Sequence, residues 1–179
     1  GTSPTLVYFG QEVGEAAIDN PGFGHASRTS IFDYVGVPAH QRWMNNGKFD
    51  GGQSTVKEVT LRAYYQKLLN LSTGKNVPAL LGEYYSLDAA NRSAQTATMD
   101  THGSATGYDD STFAFVRFEE NTANKTGQKL IIVNNFNQTQ AKPLSLKLPK
   151  PLIDQWQLTD GTYPLKDLLE DNKAQLVVK

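Results

Sequence analysis

Few residues in this chain have the chemical range to do more than fold. Glu12, Glu15 and Asp19 lie along one glycine-rich stretch, where carboxylates could move protons, bind a cation or anchor backbone amides. Asp109 and Asp110 are adjacent, but the surrounding GYDDST (107–112) lacks the spaced oxygen ligands of a calcium loop, so a turn is expected there. His25, His40 and His102 have no metal-ligand spacing, and His102, two residues after Asp100, reads as a polar loop pair. No metal site and no cofactor is expected. Trp43 and Trp156 could stack on a sugar ring or fill a core. Trp156 stands two residues from Leu158 in a stretch with strand alternation, which favours the core, and packing is also the preferred role for Trp43. The chain has no cysteine, so disulfide scaffolds, thiolate metal sites, thiol nucleophiles and iron–sulfur clusters are excluded. Four Asn-x-Ser/Thr triplets begin at Asn70, Asn91, Asn124 and Asn137; in a chain this rich in those residues they read as chance.

The chain that must position these groups has 179 residues, one domain's worth or one domain with an appendage. Its 17 basic and 18 acidic residues nearly cancel, with +1 over residues 1–75 and −2 over residues 76–179. Neither half offers a footprint for nucleic acid or anionic lipid. No apolar run approaches the roughly 18 residues of a membrane span. The first residue is Gly with no Met before it, which reads as the middle of a longer protein.

Thr5-Leu-Val-Tyr-Phe9 is a short apolar run of strand length, nearly continuous as in a buried parallel sheet. Residues 10–54 show no period, a length that suggests a functional loop. Thr55-Val-Lys-Glu58 is a capping box. After it Leu61, Tyr64, Tyr65, Leu68 and Leu71 make one apolar stripe, so a helix is expected over 55–72, stopped by Gly74 and Pro78. Beyond residue 76 the grammar is that of strands and turns. Strands are expected at 79–87, 113–118, 129–136, 143–149, 155–163 and 174–179, with Asp160-Gly161 as a hairpin signal and 91–111 as an irregular excursion. Phe113, Phe115 and Phe118 are expected inside, which leaves no evident aromatic platform.

The order of these pieces resembles the end of an α-amylase-type glycoside hydrolase of family 13. SPTLVYFGQEVG (3–14) is similar to the family's eighth barrel strand and its turn. RTSIFDY and QRWMNNGKFDGG resemble the loop that follows, and LRAYYQKLLNLSTGKNVPALLGEYYSL (61–87) resembles the last barrel helix and the entry to the C-terminal domain. FAFVRF and LIIVNNFNQT resemble paired strands of that domain.

The resemblance implies a mainly β fold. Residues 1–75 would be the remnant of a (β/α)8 barrel (strand, long loop and one α-helix), and residues 76–179 an antiparallel C-terminal β-sandwich of Greek-key type. A whole barrel needs about 200–250 residues, more than stand before residue 76. The family's catalytic carboxylates all precede its eighth strand, so no catalytic residue is carried over and this chain alone should be inactive. Glu12, Arg42 and Trp43 would face substrate only in the intact parent, with a loop-anchoring role favoured for Glu12. The implied function is a non-catalytic buttress of an enzyme acting on α-glucans such as starch and maltooligosaccharides. The alternative is an autonomous carbohydrate-binding module. The implied partners are the rest of the barrel and, through it, the α-glucan; self-association through the orphaned strand 5–9 is also expected. Polymer-degrading members are often exported, which leans towards an extracytoplasmic parent.

Overall fold

The computed structural model describes residues 6–16, 37–73, 76–92, 107–119, 127–141, 143–170 and 172–179. The chain divides into two compact units, Thr2–Thr73 and Gly74–Lys179, the latter also taking in Gly1. Among the described residues there are four α-helices and five strands in two small antiparallel sheets, with no closed barrel.

In the Thr2–Thr73 unit the main element is helix α2, Val56–Thr73. Its start is the capping box: the Thr55 hydroxyl accepts from the Glu58 amide at 3.3 Å, and the Glu58 carboxylate accepts from the Thr55 amide at 2.9 Å. A shorter helix, α1, spans Pro38–Met44, with proline in its first turn, where the missing amide hydrogen costs nothing. Asn45 closes it in the left-handed region at φ 44°. The expected strand at 5–9 is not formed over its described part, Leu6–Phe9. The Tyr8 carbonyl instead accepts from the Gln11 amide, and Gly10 accepts from Val13 and Glu15 around a single 3-10 turn, Gln11–Val13. A parallel strand takes its hydrogen bonds from strands on either side, and among the described residues of this unit there is none to supply them.

The Gly74–Lys179 unit opens with a 3-10 turn, Pro78–Leu81, and strand β1, Glu83–Ser86, where one strand over 79–87 was expected. A one-turn helix, α3, Asp88–Asn91, follows. Strands β2, Thr112–Phe118, and β3, Lys129–Asn135, lie close to expectation and complete a sheet of order β1-β2-β3. Its buried face carries Ala114, Val116 and Phe118, packed with Leu87, Tyr108, Leu152 and Trp156.

Two strand expectations and one hairpin expectation need correction. Residues 143–149 belong to no sheet, although Leu144, Leu146 and Leu148 do pack against this core. Of residues 155–163, Gln155 ends helix α4, Lys150–Gln155, which has Pro151 in its first turn; 156–160 form a turn, and 161–163 begin strand β4, Gly161–Lys166. Asp160-Gly161 therefore opens a strand and closes no hairpin. The hairpin joins β4 to β5, Lys173–Val178, in the register Gly161↔Val178 to Lys166↔Lys173. Asp167 supports its loop by accepting from the Leu169 and Glu170 amides.

Candidate functional site

The chemically capable residues of the Thr2–Thr73 unit gather where α1 meets the start of α2. Arg42, in the last turn of α1, presents Nε to both oxygens of Glu58 at 3.2 and 3.1 Å, and its Nη2 also donates to Glu58. Glu58 is the largely covered partner, its side chain 11% exposed against 37% for Arg42. The hydrogen bonds from Arg42, with those from Thr55, hold the Glu58 carboxyl below its ordinary range despite its burial, and Glu58 in turn raises the guanidinium. One carboxylate thus completes a helix cap and ties α1 to α2.

Trp43, the next residue, lies under the guanidinium of Arg62, whose central carbon is 3.8 Å from the ring centroid. The indole also meets backbone. Gly51, at φ +72°, passes so close that a Cβ there would stand 2.4 Å from the ring. Arg42 and Trp43 are therefore adjacent and both engaged within their own unit, one by Glu58 and the other by Arg62 and Gly51.

No hydrogen bond or ion pair joins Glu12 to them. It is half-buried in the 3-10 turn and makes no hydrogen bond or ion pair among the described residues. The neighbouring Glu15 is buried, and its Oε2 accepts from the His40 amide at 3.0 Å, while the His40 ring stacks on Phe9 at 4.6 Å. Gln11 reaches the Tyr65 hydroxyl at 2.7 Å, linking the turn to α2. Asp19, His25, Asp100, His102 and Asn124 lie outside the described residues. Among the described residues no three of His, Asp and Glu gather as a metal-ligand set.

In the Gly74–Lys179 unit the polar groups serve structure as well. Asp88 accepts from Arg92 at 2.7 Å and from the Tyr108 hydroxyl at 3.0 Å, while Arg92 also pairs with Asp110. Asp88 is held low by Arg92, and burial raises the Tyr108 phenol. Asp109 caps a turn, accepting from the Ser111 amide and hydroxyl at 2.8 Å. Trp156 is in the core, edge-on to Phe118 at 5.5 Å.

Phe113 and Phe115 correct the expectation that all three strand phenylalanines face inward. Alternation along β2 puts Ala114 and Val116 on the core face and Phe113 and Phe115 on the other. Tyr84 of β1 joins them, so that ring centroids run Tyr84–Phe115–Phe113 at 5.5 Å intervals, with Tyr84 48% exposed. The buried Arg117 extends this row, its guanidinium 5.8 Å from the Tyr84 ring and one nitrogen donating to the Gly82 carbonyl. Strand parity could have revealed the row, since 113, 115 and 117 share a face. Glu58 and Arg62 as partners of Arg42 and Trp43 carried no such signal, being distant in sequence.

The chain matches no protein-family model, no curated protein and no solved structure.

Proposed function

We propose that this chain is the non-catalytic C-terminal portion of an α-amylase-like glycoside hydrolase acting on α-glucans, and that its work is to complete and buttress the catalytic barrel. The reading rests on the motif order SPTLVYFGQEVG, QRWMNNGKFDGG and LRAYYQKLLNLSTGKNVPALLGEYYSL. The observation that carries it is the state of α2. This helix has 18 residues and an apolar stripe, yet not one of its residues is buried. Full burial of one large apolar side chain is worth about 1.5–3 kcal/mol. Tyr64 and Leu68 remain exposed, and Leu61, Tyr65 and Leu71 are only half-buried. Leu6, 84% exposed, and Tyr8 add apolar surface from the stretch read as the barrel strand. Such a surface suits an element whose packing partners are other barrel strands and helices. In the same reading the two small sheets of residues 76–179 belong to a β-sandwich, and Glu12 becomes a cleft-wall or loop-anchoring residue of the parent.

The test is the chain itself assayed for release of reducing sugar from starch. No turnover is expected; turnover that Glu12→Gln abolishes overturns the proposal. When the chain is produced together with its upstream coding sequence, the amides of α2 should gain protection from hydrogen exchange. Unchanged exchange there also counts against it.

The row Tyr84–Phe115–Phe113 favours a second reading, a carbohydrate-binding module. Aromatic faces stack on sugar rings, and the neighbouring planes are inclined by 38° and 41°, which suits a curved α-glucan better than a flat chain. Titration calorimetry of the chain with cyclodextrin decides it. Heat that disappears in Tyr84→Ala supports this reading, and no heat at millimolar sugar removes it.

A further inference from the structure

Strand β3 ends its sheet, and the hydrogen-bond phase of that sheet determines what its open side can do. The register of β2 on β3 runs from Thr112↔Asn135 to Phe118↔Lys129. At its two ends the Phe136 amide donates to Ser111 and the Glu119 amide donates to Gln128. Pairs in an antiparallel ladder alternate between hydrogen-bonded and open. The backbones of Leu130, Ile132 and Asn134 are therefore turned towards β2, and those of Ile131 and Val133 point outward. No described residue pairs with that outer edge. Val133 is 43% exposed, and Ile131 packs only in part against the core.

We propose that this edge is an interface between two copies of the chain, paired antiparallel through β3 about a two-fold axis at Ile132. The register is self-complementary. Ile131 faces the partner's Val133 in a hydrogen-bonded pair, and Val133 faces the partner's Ile131. Ile132 meets the partner's Ile132 in an open pair on the axis. Lys129 stands opposite the partner's Asn135, so no like charges meet. A shift of two residues either way gives up part of this overlap. The parity also matches: residues on the core face of one copy continue the core face of the other, giving one six-stranded sheet.

The competing edges are guarded. Strand β4 carries Pro164, and β5 lies between Lys173 and Lys179, which a fully overlapped pair would bring together. Strand β1 has only four residues. Of the sheet edges, β3 is long, apolar in its middle, and charged only at Lys129.

The absence of cysteine makes a direct test available. Ile132→Cys places one thiol on the proposed axis, where open antiparallel pairs hold Cα atoms about 4.5 Å apart, within disulfide reach. Under mild oxidation this variant should form a covalent dimer at least tenfold faster than Val177→Cys, an exposed site on β5. Sedimentation equilibrium of the unmodified chain should show a concentration-dependent dimer. Val133→Pro should abolish it, because that amide has no partner among the described residues of its own copy and is used between copies. A chain monomeric at every concentration overturns the proposal. So does a dimer that survives Val133→Pro, or one whose Ile132→Cys variant cross-links no faster than the control. If Val133→Pro does not fold, the cross-linking comparison decides alone, and it also separates this interface from association through residues 5–9.

Discussion

Asn91 shows how much one amide can hold. It is 2% exposed, and its Nδ2 donates to the Leu87 carbonyl at 2.7 Å and to the Lys147 carbonyl at 3.0 Å, while its Oδ1 accepts from the Lys147 amide at 2.8 Å. The side chain thus does for residues 143–149 what a neighbouring strand would have done, and lets Leu144, Leu146 and Leu148 dock without a ladder. The Nδ2 that the Asn-x-Ser triplet at Asn91 would offer to a glycan is enclosed in the folded chain. Truncation would strand one amide and two carbonyls at the edge of the core, each costing about 1–3 kcal/mol if water does not replace the partner. Asn91→Ala should therefore destabilise this unit by roughly 2–4 kcal/mol, read from the denaturant midpoint of the far-ultraviolet signal. Asn91→Asp keeps the acceptor but loses both donors, and should not restore the loss at neutral pH. A midpoint unchanged in Asn91→Ala would mean that residues 143–149 are held by their leucines alone.

At the scale of the element, α2 depends on a single carboxylate. Glu58 caps the helix through Thr55 and binds Arg42 at the same time. Its folded-state pKa lies below the ordinary Glu value of about 4.3. Stability from this group is therefore fully present above about pH 4.3 and is lost as pH falls through the lowered folded value. Glu58→Gln retains a capping-box residue but removes the charge. It should lower the thermal midpoint of α2 at pH 7 and flatten the acid limb of its pH dependence, followed by helical circular dichroism. An acid limb as steep in Glu58→Gln as in the parent chain would assign that slope to other carboxylates, of which Asp88, Asp50 and Asp167 also titrate low. The capping box was legible because all its partners fall within four residues, and β2 and β3 were legible because β-branched and aromatic runs bounded by turns suit few other states. The strand expected at 143–149 is not formed, although Leu144, Leu146 and Leu148 alternate and dock on the core: Lys147 takes its backbone partners from Asn91, 56 residues away, and nothing local announces it. The partners of the candidate residues were hidden for the same reason. Arg42 and Trp43 were visible as residues of interest, but Glu58, 16 residues on, and Arg62 were needed to see that both are tied into the helix pair. Glu12 alone among the three keeps its carboxylate out of any bond to a described residue.

At the scale of the whole molecule, the two units are unequally cored. The Gly74–Lys179 unit buries Leu87, Tyr108, Ala114, Val116, Phe118, Leu152 and Trp156 in one cluster. Among the described residues of the Thr2–Thr73 unit, the buried apolar side chains are Val13 and Ala39, both small. Helices in proteins draw most of their stability from packing of an apolar face rather than from propensity. The ion pair of Arg42 with Glu58 and the stack of Arg62 on Trp43 are partly solvated, and contacts of that kind add little stability. They fix where α1 meets α2 without supplying the burial that the apolar stripe lacks. Native-state hydrogen exchange should accordingly grade the chain. The amides of β2 should be the slowest, opening only with the loss of the whole core, while those of α2 should exchange at least about tenfold faster through local opening. Residues 61–71, on the exposed stripe, are the sensitive reporters. If they prove as slow as Val116 in the chain alone, the unit is stabilised by more than its visible core, and the view of α2 as an element awaiting barrel partners fails with it.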